Sequence, residues 1–178
     1  MKKIYFVRHG QSQANADEVS AGSEFDTPLT PKGRTQAAQT GQILKGKGIE
    51  LIVSSTLSRA IDTAKIIAEQ IGYNPKDIIK VDYFVERNNG IYSHKPEHLY
   101  LSDALADSLH ESVESVDDMH KRITEGLEWL EEFEEQVVLI VSHGGVSRVL
   151  RLMHQALPHS HMYKIDRLPN ASIYEFTM

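Results

Sequence analysis

Short β-branched runs alternate along the chain with longer stretches whose apolar residues recur every three or four positions. That alternation predicts an α/β layer fold around a mostly parallel sheet. Strands are expected at 3–7, 50–53, 78–83 and 137–141, with a last strand at 171–176 closing an edge. Thr30 is placed as an N-cap and Pro31 as a first helical residue, and that helix should end near Gly46. Leu57, Ala60, Ile61, Ala64, Ile67, Ala68 and Ile71 share one helical face, and Gly72 stops the pattern. Val116, Met119, Ile123, Leu127, Leu130 and Phe133 form a second such face, with Ser115 and Asp118 spaced as a capping box. A third, Val146, Val149, Leu150, Met153 and Leu157, runs into Pro158.

The periodicity weakens between Phe84 and Ser115. A connection of that length inside a compact domain is usually functional, so a lid or specificity segment is expected at about residues 87–115 of a single domain spanning 1–178. No repeat, low-complexity tract or linker composition interrupts the chain.

Charge and composition narrow the chemistry. Nineteen Lys and Arg against 25 Asp and Glu give a net charge of -6, the wrong sign for a protein that tracks nucleic acid. An anion could be bound only at a focused patch. The absence of cysteine removes disulfides, thiol nucleophiles and thiolate metal sites. "MKKIYFV" starts like a signal peptide, but its apolar stretch ends at Arg8, and no run is long enough to span a bilayer, so a cytoplasmic protein without membrane contact is expected.

Open parallel sheets bind ligands beyond the carboxyl ends of their strands. The first strand delivers Arg8 and His9 in "IYFVRHGQSQAN", the second Arg59 in "SSTLSRA", the third Glu86 in "VERNNG" and the fourth His143 in "VSHGG". Singly, each has an ordinary reading as a solvated or satisfied side chain. A cation in the first turn of a helix, however, opposes the helix dipole unless an anion is near, and Gly10 beside His9 allows a ligand close to the backbone. Two guanidinium groups, two imidazoles and helix N-termini suit a phosphoryl group, whose transition state spreads charge over three oxygens. With no thiol available, a neutral imidazole is the best nucleophile, and its partner imidazole helps most when protonated.

These blocks resemble the histidine phosphatase superfamily, also called the phosphoglycerate mutase-like family. "RHGQS" is similar to its nucleophile signature, and "LTPKGRTQA", "SSTLSRAIDTA" and "VSHGG" match its later blocks in order and spacing. The resemblance implies a three-layer α/β/α sandwich with one antiparallel edge strand, and no metal or organic cofactor. It makes His9 the phosphate acceptor, Glu86 the proton donor, and Arg8, Asn15, Arg59 and His143 the phosphate pocket. Gln11, Ser12 and Gly144, in the same blocks, are further candidate contacts. Where the family often carries Trp-Glu-Gly after the proton donor, this chain has Ile91, Tyr92 and Ser93. The activity implied is hydrolysis of small phosphomonoesters. A phosphoglycerate mutase-type transfer, a protein phosphohistidine phosphatase and a silent phosphate-binding module are the alternatives. The mutase needs a larger closing lid than these residues offer.

Two motifs mislead. "GQILKGKG" at 41–48 lacks the Ser or Thr of a phosphate-binding P-loop and ends a helix. "HKPEH" spells a zinc-peptidase pattern, but Pro96 opposes the continuous helix that would bring His94 and His98 to one face. The two histidines are expected to line the mouth of the site instead, or to be merely exposed. The cluster from His154 to His161 suggests no chemistry. Specificity is expected in the segments least tied to the motifs, 17–27 and 87–115.

Overall fold

The computed structural model describes residues 1–178. Five strands, β1 (Lys3–Arg8), β2 (Leu51–Ser55), β3 (Ile79–Val81), β4 (Val137–Ser142) and β5 (Ile173–Thr177), form one sheet in the order β3-β2-β4-β1-β5. The helices are α1 (Gln13–Ala16), α2 (Pro31–Leu44), α3 (Ser58–Ile71), α4 (Glu97–Leu105), α5 (Val116–Glu131) and α6 (Gly144–His154). All strand pairs are parallel except β1 with β5, where Phe6 faces Tyr174.

The two-residue period of the strands builds two cores. Ile4, Phe6, Val53, Val138 and Ile140 point to one face, where they meet Met119 and Ile123 of α5 and Val146 and Val149 of α6. Tyr5, Val7, Ile52, Leu139 and Val141 point to the other, against Leu44 of α2 and Ala60, Ala64 and Ile67 of α3. Helices therefore cover both faces, and the fold is a three-layer α/β/α sandwich with a mostly parallel sheet and an antiparallel edge strand.

The boundaries carry physical detail. Glu50 does not begin β2; its Oε2 accepts from the backbone N–H groups of Gln136 and Val137 and caps the entry to β4. The third strand stops at Val81, short of the expected Tyr83. There Asp82 accepts a hydrogen bond from Thr56 Oγ1 at 2.7 Å, and residues Asp82–Phe84 turn as a 3-10 helix that buries Phe84. Thr30 caps α2 by accepting from Gly33 N, with Pro31 in the first turn, and the chain leaves the helix at Leu44 before the left-handed Gly46. Ser115 caps α5, but the return bond of a capping box is absent: the Ser115 hydroxyl donates to Asp118 Oδ2 at 2.7 Å.

Residues 87–115 are not irregular throughout. They contain a 3-10 turn at Gly90–Tyr92 and the helix α4, which starts directly after Pro96. The segment is pinned to residues 18–23: His94 N donates to Ser20 O at 2.9 Å, Ser20 N to Lys95 O at 2.8 Å and Glu97 N to Glu18 O at 2.8 Å. The two segments least tied to the motifs are thus knitted to each other. No helix is long and apolar enough to cross a membrane.

Candidate active site

The carboxyl ends of β1, β2 and β4 lie side by side, because His9 N continues the sheet by donating to Ser142 O at 2.8 Å. The turn after His9 is tight. A Cβ on Gly10 would stand 2.3 Å from the carbonyl oxygen of Gly33, and one on Gly33 would stand 2.1 Å from that of Gln11. Only two glycines let the first loop and the start of α2 approach this closely. Thr63 of α3 holds the same loop, its Oγ1 accepting from Gly10 N at 3.0 Å.

His9 is buried, and its Nδ1 lies 2.7 Å from Gly10 O. A carbonyl oxygen only accepts, so Nδ1 carries the proton and Nε2 keeps its lone pair. Burial, then the charges of Arg59 and Arg8, push the His9 pKa well below the usual histidine range. The imidazole is neutral near pH 7. His143, at the N-cap of α6, is fully buried edge-on behind His9 with ring centroids 5.1 Å apart. Its Nε2 lies 2.7 Å from Ser55 Oγ. Burial, then Arg59 and His9, push the His143 pKa well below the usual histidine range as well.

Arg8 reaches Leu168 O through Nη1 at 2.6 Å, and burial followed by the charge of Arg167 lowers its pKa to about 10. Its Nε and the Nδ1 of His143 are the two buried side-chain nitrogens with no hydrogen-bond partner. An unsatisfied buried donor is costly, and the Arg8 N–H beside the nucleophile suits an anionic acceptor. Arg59, only 2% exposed in the first turn of α3, donates to Gly22 O at 2.8 Å and to Asp26 Oδ1 at 3.0 Å. Leu57 offers that helix no side-chain cap; Asp26 supplies it, accepting from Ser58 N at 2.6 Å. The carboxylate answers both the cation and the helix dipole.

Glu86 sits at the N-terminus of α6, with both oxygens accepting from Gly145 N at 3.1 and 3.2 Å. A Cβ on Gly145 would come within 2.4 Å of Glu86 Oε1, so a side chain there would displace the carboxylate. Asn15 Oδ1 accepts from Ser12 N and from Asn170 Nδ2, and the latter group also donates to His9 O at 3.1 Å.

Arg8, His9, Asn15, Arg59 and Glu86 line one cavity. Gln11, Ser12 and Gly144 do not, nor does His143, which is fully buried beside His9. Gln11 faces α2, its backbone N donating to Gln36 and its Oε1 accepting from Thr30 Oγ1 at 2.8 Å. Ser12 is the N-cap of α1. Gly144 makes room for the stem of Arg167, whose Cδ would be 2.5 Å from a Cβ placed there. His94 and His98 also stay outside the lining. His94, in a left-handed conformation, stacks on Phe25 at 4.0 Å, while His98 is exposed on α4. The histidines from 154 to 161 diverge: His154 meets Tyr174 and His159 meets Asp117. No three His, Asp or Glu side chains converge to hold a metal ion.

The cavity recruits residues outside the motifs. Val19 to Gly22 come from one rim segment, Arg87, Asn89, Glu97 and Tyr100 from the other, and Arg148 and Arg167 from α6 and the approach to β5. Arg148 hides in an amphipathic helix pattern and Arg167 in a turn, so neither stood out. Ser55 and Thr63 hide inside apolar runs.

The histidine phosphatase superfamily (branch 1) model matches residues 4–178. The uncharacterized phosphatase PhoE of Bacillus subtilis is 31% identical over 151 residues, covering 84% of this chain and 76% of that protein. A Hydrogenobacter thermophilus protein provisionally named phosphoserine phosphatase 2 is 29% identical, covering 100% and 90%. A solved mycobacterial glucosyl-3-phosphoglycerate phosphatase complexed with VO3 superposes with a TM-score of 0.86 at 27% identity, over 98% of this chain and 92% of that one. With this sheet, this cavity and these matches, the chain belongs to the histidine phosphatase superfamily and is a phosphatase-type hydrolase of its first branch.

Proposed function

We propose that the protein is a phosphomonoester hydrolase that works without metal through a phosphohistidine on His9. The observation that carries this reading is the orphaned buried donor Arg8 Nε, with the unpartnered Nδ1 of His143, beside an imidazole whose Nε2 is free. In the first step Nε2 attacks phosphorus and the ester P–O bond breaks in line, while protonated Glu86 gives its proton to the departing alkoxide. In the second, Glu86 takes a proton from water as that water displaces His9 from phosphorus, returning inorganic phosphate and the starting enzyme. Arg8 and Arg59 meet the equatorial oxygens. The dianion also offsets the cationic field on His143, which then carries charge toward the phosphoryl group. Asn15, braced by Asn170, is the further phosphate contact. The segment at 87–115 acts as the specificity-bearing cover of a single domain.

Mixing the enzyme with a 32P-labelled alkyl phosphate and quenching within milliseconds tests this. The expected product is an acid-labile, alkali-stable phosphoprotein that is absent from His9→Ala and unaffected by chelator. A label that persists in His9→Ala, or turnover abolished by chelator, overturns the reading.

A further inference from the structure

Glu86 leaves the chain in a stretch without regular structure. Residues 85–89 follow the 3-10 turn at Asp82–Phe84 and belong to no strand or helix, so no ladder of backbone bonds fixes where its carboxylate points. The entry to α5 does that instead. The largely buried side chains of Arg122 and Glu114 form a two-pronged pair, Nε to Oε1 at 2.7 Å and Nη2 to Oε2 at 3.0 Å. From this pair of residues, hydrogen bonds run to the Glu86 stretch on both sides. Arg122 donates through Nη1 to Tyr83 O at 2.9 Å and through Nη2 to Glu86 O at 3.4 Å. Glu114 accepts from Asn88 N on Oε2 at 3.2 Å and from Arg87 Nε on its carbonyl oxygen at 2.7 Å, and its own N–H donates to Asn88 O at 3.0 Å.

Holding α5 does not account for the pair. That helix already has Ser115 as its cap, and Met119, Ile123 and Leu130 bury it on the sheet. Arg122 and Glu114 spend their remaining bonds on residues 83–88, while neither side chain lines the cavity. Glu86 is thereby restrained from behind and in front. Arg122 holds its carbonyl, Oε1 accepts from Arg87 N at 2.9 Å, and both carboxylate oxygens accept from Gly145 N. Releasing the first restraint lets the stretch slide, and the carboxylate slides with it.

Resting on the hydrolase reading, we propose that Arg122 and Glu114 are positioning residues for Glu86: together they clamp residues 83–88 so that the carboxylate is aimed at the departing oxygen. They touch neither substrate nor reacting atoms. Their effect on the reaction passes through the proton that Glu86 gives and takes back, and through no other step.

Two substrates that differ in their need for a proton separate this role from a merely structural one: an alkyl phosphate, and p-nitrophenyl phosphate, whose leaving group departs without one. Arg122→Met and Glu114→Gln should each lower kcat/KM on the alkyl phosphate by roughly 10- to 100-fold, the scale of a misplaced catalytic group, and far less on p-nitrophenyl phosphate. Arg122→Lys keeps the charge without the fork and should recover part of the loss. In a Glu86→Gln background the same substitutions should cost little more on the alkyl phosphate, because the group they aim is gone. Arg122→Met strands the Glu114 charge, so melting curves identify a variant that fails to fold, and Glu114→Gln and Arg122→Lys then decide by the same ratio of substrates. Equal losses on both substrates, no loss on either, or an undiminished loss in the Glu86→Gln background overturns the proposal. If Glu86→Gln alone lost equally on both substrates, the acid role beneath the proposal would fall, and the proposal with it.

Discussion

Arg59 is a buried cation that spends three of its five N–H donors on Phe25 O, Asp26 Oδ1 and Gly22 O and has two left. If those two meet the transferring phosphoryl group, Arg59→Met should lower kcat by roughly 100- to 1000-fold, the loss of one preorganised transition-state donor. Steady-state kinetics on a protein with an unchanged melting curve checks this. Glu86 allows a sharper test, because general acid catalysis matters only where the leaving group needs a proton. Glu86→Gln should cost roughly 100- to 10,000-fold on an alkyl phosphate and far less on p-nitrophenyl phosphate. Equal losses on both would show that Glu86 positions rather than protonates. These residues were legible because each stands where a β-branched run ends, a place where a buried charge has no structural excuse. Asn170, Ser55 and Thr63 were not. They act on His9, on His143 and on the turn at Gly10 through single hydrogen bonds made across the fold, and one-off polar residues carry no periodic signal.

At the scale of elements, the first loop and the start of α2 meet through Gly10 and Gly33. Gly33→Ala puts a methyl group where the Gln11 carbonyl already stands, 2.1 Å away. Neither backbone can yield without moving His9. The substitution should destabilise by about 1–3 kcal/mol, lowering the melting temperature by roughly 2–4 °C per kcal/mol for a chain of this size. It should also reduce kcat, although residue 33 does not line the cavity. A melting temperature and kcat equal to the wild type would show that the contact is slack. The glycine in "LTPKGRTQA" was visible in the sequence; the reason for it was not, since the clashing atom lies 22 positions earlier in the chain. Strands and long helices followed from periodicity because each buries one face on the sheet. α4 escaped the same reading. Its Leu99 and Leu105 are exposed, its buried face is only Tyr100 and Ala104, and Pro96 caps it without a side-chain bond. The helix is held by its neighbours rather than by an apolar stripe.

For the molecule as a whole, the two neutral histidines tie the cavity to global stability. The unfolded chain titrates His9 and His143 near pH 6.5, whereas the folded chain holds both well below that value. Below pH 6.5 the unfolded state therefore binds protons that the folded state refuses, and unfolding is favoured as pH falls. The contribution is fully present above about pH 6.5 and is lost toward the depressed folded values. Between pH 7 and 5.5 the unfolding free energy should therefore fall, by an amount on the order of a few kcal/mol. Urea titrations at the two pH values measure it. His9→Gln with His143→Gln should flatten the dependence, because none of the other histidines is buried. A saturating phosphate mimic such as vanadate should flatten it too, since a bound dianion offsets the field of Arg8 and Arg59 and lets an imidazole keep its proton. An identical fall in the double variant would move the source of the acid sensitivity elsewhere. It would also show that the folded chain does not hold His9 and His143 below their unfolded values.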